Sequence, residues 1–154
     1  MTAATRAADP GGVERRVGRL ADIEQIRQLT VAYKNALDAK DVTAYVDLFS
    51  ETGTLWCTPE LQARGRAAIR DLVEGMSGNL LTDRIGTDFH ATANSLIEVE
   101  GDQGSGSSTW LYFTISSNGA PLLAKVGHYV DQYIRHGDRW LFQRRDAVTD
   151  IPFT

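Results

Sequence analysis

From Ala21 to Ala39 apolar residues fall at Ile23, Ile26, Leu29, Tyr33 and Leu37. That three-to-four spacing lines one face of a helix, so the segment reads as a long first helix with a single buried stripe. Asp41 follows as a candidate cap for a second helix, in which Tyr45, Leu48 and Phe49 face inward, and Gly53 is its stop signal. Thr54–Thr58 reads as a short strand and Thr58–Arg64 as a loop. Gly65–Glu74 carries Ala67, Ala68, Ile69, Leu72 and Val73 among charges, the pattern of a third short helix. Gly75 and Gly78 loosen the chain after it, ahead of a loop around Gly86.

The period then changes to two. Phe89–Val99, Ser107–Ser116, Leu122–Arg135 and Arg139–Val148 are long β-prone runs, separated by turn signals at Gly101–Gly106, Ser117–Gly119 and His136–Asp138. Connections this short join antiparallel neighbours, so the second half is a meander. The whole predicts an α+β domain: a cone-shaped barrel of strongly curved antiparallel sheet, covered by about three N-terminal helices. Such a cone closes imperfectly at its wide end, which leaves a pocket between helices and sheet for a small apolar ligand.

Composition narrows this picture. The chain has 154 residues, enough for one core, and its 42% hydrophobic and 23% charged residues are ordinary globular values. Residues 1–19, rich in Ala, Gly and Arg, read as a flexible tail and residues 20–154 as a single domain. Net charge is −4 and the basic residues are scattered, which argues against a nucleic-acid partner. No apolar run is long enough to span a bilayer and the N-terminus lacks the apolar core of a secretion signal, so the expectation is a cytoplasmic protein with no membrane partner. The single cysteine, Cys57, has no partner for an internal disulfide. There is no Gly-rich phosphate loop, and the three histidines lack the spacing of a zinc site, so neither cofactor nor metal is expected.

Candidate chemistry comes down to few residues. His136 lies in a turn and His128 in mid-strand, whereas His90 opens a strand where a cavity mouth would be. On its own His90 reads equally as an ordinary, partly buried strand residue. Asp38 lies in the last turn of the first helix, where the helix dipole disfavours a negative charge. It is either a solvated end residue or a carboxylate held there for a partner. Arg144 and Arg145 are adjacent on the last strand, and alternation sends one of the two inward.

The pattern Ile26-Arg27-Gln28-Leu29, Tyr33, Ala36-Leu37-Asp38, Asp41 and Leu48-Phe49 resembles the first two helices of SnoaL-like proteins, in the nuclear transport factor 2 superfamily. The resemblance covers roughly Ala21 to Val148 and is nearest to the dehydratase and dehydrochlorinase branch. It implies a histidine–aspartate dyad working without a cofactor, with the family aspartate on Asp38 and the family histidine on His90, at the start of His90-Ala91-Thr92-Ala93-Asn94. It further implies Tyr33 as a polar pocket residue, Arg145 as the pocket arginine, and Trp56 and Tyr129 as aromatic pocket walls. The second proton-relay group found on the middle strand of some dehydratases has no clear counterpart among Trp110, Leu111, Tyr112 and Phe113, although Tyr112 offers a hydroxyl if it faces inward. The implied activity is that of a cofactor-independent lyase or isomerase acting on a small hydrophobic substrate. A non-catalytic ligand-binding protein, or a partner subunit like the β subunits of ring-hydroxylating dioxygenases, is the alternative. A sheet covered on one face leaves the other to be buried, so a homo-oligomer, a dimer first, is expected.

Overall fold

Pro10 opens the first helix of the computed structural model, which describes residues 10–80 and 88–152, without side chains at 77–80. This helix, α1 (Pro10–Ala39), starts well before Ala21, and residues 10–19, expected to be loose tail, are helical. Proline suits the first helical position because its missing N–H has no acceptor there and its φ is already helical. The sequence hides the extension because it buries nothing: Val13, Val17 and Leu20 are all exposed. Residues 1–9 and the loop around Gly86 lie outside the described residues.

Further along, α1 buries Ile26, Leu29, Thr30, Tyr33 and Ala36 as one stripe. Its end is a tight wrap in which the Asp41 N–H donates to the Ala36 carbonyl at 2.9 Å and the Lys40 N–H to that of Leu37 at 3.2 Å. Lys40 takes the left-handed φ of 58° that this wrap requires. Asp41 then caps α2 (Val42–Val46), its Oδ1 accepting from the Ala44 N–H at 2.9 Å. The second helix is shorter than expected, and Phe49 belongs to the next strand.

The remaining elements are β1 (Phe49–Trp56), β2 (Gln62–Arg64), α3 (Arg66–Leu80), β3 (Phe89–Glu100), β4 (Gln103–Ile115), β5 (Pro121–His136) and β6 (Arg139–Pro152). They form one six-stranded sheet in the order β2-β1-β6-β5-β4-β3. The meander β3 to β6 is antiparallel throughout, while β1 runs parallel to β6. The short strand β2 lies where a loop was expected and pairs with the end of β1.

Register shifts at Ala93/Leu96, Tyr112/Phe113, Val126/Gly127 and Gln132/Tyr133 bend the long strands, because each bulge adds a local kink and extra twist. The sheet curls without closing, so β2 and β3 remain its two edges. Gly127 is needed in the curl: a Cβ there would collide with the Trp110 indole and the Val148 carbonyl. Helix α1 packs on β3 and β6, and α3 on β1 and β2, with α2 between the helices. The core they enclose includes Ile26, Phe49, Leu55, Ile69 and Phe142. Among the described residues no helix is long and apolar enough to cross a membrane.

Candidate active site

Asp38 and His90 are 52 residues apart in sequence and meet where the last turn of α1 packs against the start of β3. His90 Nδ1 stands 2.6 Å from Asp38 Oδ1, and the His90 backbone N–H is 3.2 and 3.3 Å from the two carboxylate oxygens. A carboxylate accepts only, so the proton of the neutral imidazole sits on Nδ1 and Nε2 is left with its lone pair. Among the described residues Nε2 makes no hydrogen bond. Lys34, one turn before Asp38, places Nζ 3.0 Å from Asp38 Oδ2 and 4.0 Å from the centre of the Phe89 ring. That ammonium and the His90 N–H offset the helix dipole, which explains how a carboxylate is tolerated at this end of α1.

His90 lines a cavity of about 790 Å³ between the helices and the inner face of the sheet, whereas Asp38 stands behind it and is not part of the lining. Apolar walls come from Leu37, Leu55, Leu72, Trp110 and Tyr129. Tyr112, opposite His90 in the β3–β4 register, also lines the cavity, its ring 4.9 Å from the imidazole. Tyr33 lines it too, and its hydroxyl accepts a hydrogen bond of 2.7 Å from Tyr45. Burial pushes the Tyr33, Tyr45 and Tyr129 phenols well above their ordinary range, so all three stay protonated. The same cause, with the Asp146 charge second, pushes the cavity-lining Cys57 thiol up to about 11.

Two expected site residues are placed elsewhere. Arg145 does turn inward and Arg144 outward, as alternation requires, but Arg145 is not in the cavity lining. Its guanidinium is clamped by Asp131, Nε to Oδ1 at 2.8 Å and Nη2 to Oδ2 at 2.7 Å, and lies 4.2, 3.9 and 4.1 Å from the ring centres of Tyr33, Tyr129 and Phe142. Burial disfavours its charge, but the hydrogen bonds and charge of Asp131 outweigh that and raise its pKa. It therefore supports the wall from behind. Trp56 is likewise absent from the lining: along β1 it is Leu55, and beyond the strand Cys57, that face the cavity, which leaves Trp56 on the opposite side.

Sequence reasoning missed Trp110 as a wall residue, and it missed a second polar cluster. Lys40 Nζ pairs with Asp88 Oδ2 at 2.9 Å, and the Tyr112 hydroxyl donates to the same oxygen at 3.4 Å. The available signals were a lysine where a helix end favours glycine, and an aspartate two residues before His90 on the same face of an extended chain. Among the described residues there is no cluster of three or more His, Cys, Asp or Glu that could hold a metal ion.

A family model described as the SnoaL-like domain matches residues 18–146. The chain belongs to that family. The SnoaL-like fold is equally evident among solved structures. An NTF2-like protein with a cystatin-like fold from Novosphingobium aromaticivorans is 26% identical, with 94% of this chain and 92% of that one covered and a TM-score of 0.81. A candidate scytalone dehydratase from the same organism is 22% identical, with 87% of each chain covered and a TM-score of 0.70. LinA is 20% identical, with 90% of this chain and 94% of that one covered and a TM-score of 0.73. No curated protein matches. At these identities the last two establish the shared fold, and the chemistry rests on the cavity's own residues.

Proposed function

We propose that this SnoaL-like protein is a cofactor-independent lyase or isomerase of the dehydratase type, acting on a small, largely apolar substrate. The observation that carries the reading is the 2.6 Å contact between His90 Nδ1 and Asp38 behind the wall of a large cavity. Held in one tautomer, the imidazole has Nε2 available as a base, and the carboxylate stabilises the imidazolium that forms.

In the proposed reaction, Nε2 removes a proton from a carbon next to a carbonyl. The electron pair left on carbon moves to the carbonyl oxygen, where a hydroxyl donor stabilises it. Tyr33 lines the cavity and carries such a hydroxyl, which accepts from Tyr45 and keeps its own proton to donate, whereas the Tyr112 hydroxyl is turned to Asp88 and Arg145 is engaged by Asp131. If the neighbouring carbon bears a hydroxyl, collapse of the enolate expels it and the imidazolium returns the proton, giving water and a double bond. Without a leaving group, the proton returns at another carbon and the double bond migrates. The neighbouring structure described as a candidate scytalone dehydratase agrees with an enzyme of this shape.

The test is exchange of the α-carbon protons of 1-indanone in D2O, followed by proton NMR. The wild type is expected to accelerate exchange and a folded His90→Ala variant to lose at least about two orders of magnitude of that acceleration. Equal exchange by the two proteins would make His90 a structural strand residue and the cavity a binding site only.

A further inference from the structure

We infer that Lys40 and Asp88 form a second polar subsite of the cavity, one that binds a hydroxyl group of the substrate at a fixed distance from His90. The subsite stands on its own observations; what that hydroxyl is attached to rests on the proposed chemistry of the dyad.

The Asp88 side chain is 1% exposed and only one of its oxygens is used. Oδ2 takes the Lys40 ammonium and the Tyr112 hydroxyl, while Oδ1 has no hydrogen-bond partner. A buried carboxylate oxygen without a donor is costly in a folded chain, and this one belongs to a residue of the cavity wall. Both partners of Oδ2 also line the cavity, so the carboxylate lies on the cavity side of the sheet edge.

Lys40 is the second, independent sign. It occupies the left-handed position that ends α1, with φ 58°, where glycine avoids the steric conflict of a Cβ. A lysine there forgoes that backbone ease and adds an ammonium held against Asp88, with its side chain 9% exposed. Among the described residues the ammonium makes one hydrogen bond, to Asp88, of the three it can donate.

The pair selects its ligand by chemistry. A hydroxyl can accept from Lys40 Nζ and donate to Asp88 Oδ1 together. A carbonyl cannot donate, a cation meets the Lys40 charge, and a carboxylate or phosphate meets the Asp88 charge. Asp88 and His90 are two residues apart on an extended segment, so their side chains share a face at a spacing of about 7 Å. Phe89 between them is half exposed and pairs with Lys34 instead. The substrate class that follows is an apolar ring compound with a hydroxyl about one ring's width from the carbon that loses its proton.

Isothermal titration of the full chain with 5-hydroxy-1-indanone and with 5-methyl-1-indanone, where a methyl replaces the hydroxyl, tests this. Wild type and His90→Ala are both expected to bind the hydroxyl compound about tenfold more tightly than the methyl compound. The double variant Lys40→Met/Asp88→Leu removes both charges without stranding either, and the preference should fall below about twofold in it. Asp88→Asn keeps the shape of aspartate and should cut the preference to about half or less, because the ligand hydroxyl loses the carboxylate oxygen it donates to and can only accept there; it serves if the double variant does not fold. Equal binding of the two indanones to wild type, binding of neither, or a preference that survives undiminished in the variants would overturn the subsite. Failure of α-carbon exchange would remove the dyad chemistry and leave this preference intact, so the two results are separable.

Discussion

Arg145 and Asp131 grip each other through two parallel hydrogen bonds of 2.8 and 2.7 Å, and each side chain is only 1% exposed. Tyr133 adds a hydroxyl on Asp131 Oδ2 at 2.8 Å, and the rings of Tyr33, Tyr129 and Phe142 stand around the guanidinium. This cluster stiffens the wall that Tyr33 and Tyr129 present to the cavity. Removing one charge alone strands the other, so Asp131→Ala is expected to destabilise the chain by about 3–5 kcal/mol. The pair Arg145→Met/Asp131→Leu strands neither and should cost far less. Urea denaturation at constant slope reads both values. A mild single variant and a severe double one would show that the ion pair is not what holds this wall.

Alkaline pH should unfold the protein through its tyrosines. Burial raises the phenol pKa of Tyr33, Tyr45, Tyr129 and Tyr133 in the folded state. Below the unfolded value near 10 both states hold these protons and stability is unaffected. Above it the unfolded chain releases them and the folded chain does not, so each tyrosine removes about 1.4 kcal/mol of stability per pH unit. Phenolate absorbance near 295 nm should therefore appear for these four together with loss of ellipticity. Smooth ionisation of all the tyrosines in a chain that stays folded would contradict their burial.

Much of the fold was legible because its signals are local. The meander strands β3 to β6 were read to within a few residues from period-two runs and glycine-bearing turns. Helix α1 and the Asp41 cap were read from spacing and side-chain type. What escaped depends on partners distant in sequence. The strand β2 is three residues long and exists through its pairing with β1. The first turns of α1 bury little and so carry no apolar stripe.

In the site, Asp38 and His90 came from the family resemblance, and their contact came from the packing of α1 on β3. Trp56 was misplaced by one position of strand alternation, since Leu55 and not Trp56 faces the cavity. Arg145 was read correctly as inward, but the sequence does not say that Asp131 on the neighbouring strand would take its guanidinium.

Association of two copies is expected through the sheet. Leu96 on β3, Val130 on β5 and Ile151 on β6 are exposed apolar residues of the sheet. Light scattering coupled to size exclusion should give twice the mass of 16.9 kDa at micromolar concentration. Val130→Lys should shift that value towards one chain. A wild-type mass of one chain would remove the sheet face as an interface.

The proposed base chemistry depends on which nitrogen of His90 is bare. Nitrogen-15 NMR of the histidine rings, at a pH where the imidazole is neutral, measures this without any substrate. The proton is expected on Nδ1, facing Asp38, with Nε2 unprotonated, and Asp38→Asn should move the population towards the other tautomer. A wild-type His90 with its proton on Nε2 would contradict the arrangement, because the nitrogen available to the substrate would then be a donor and not a base.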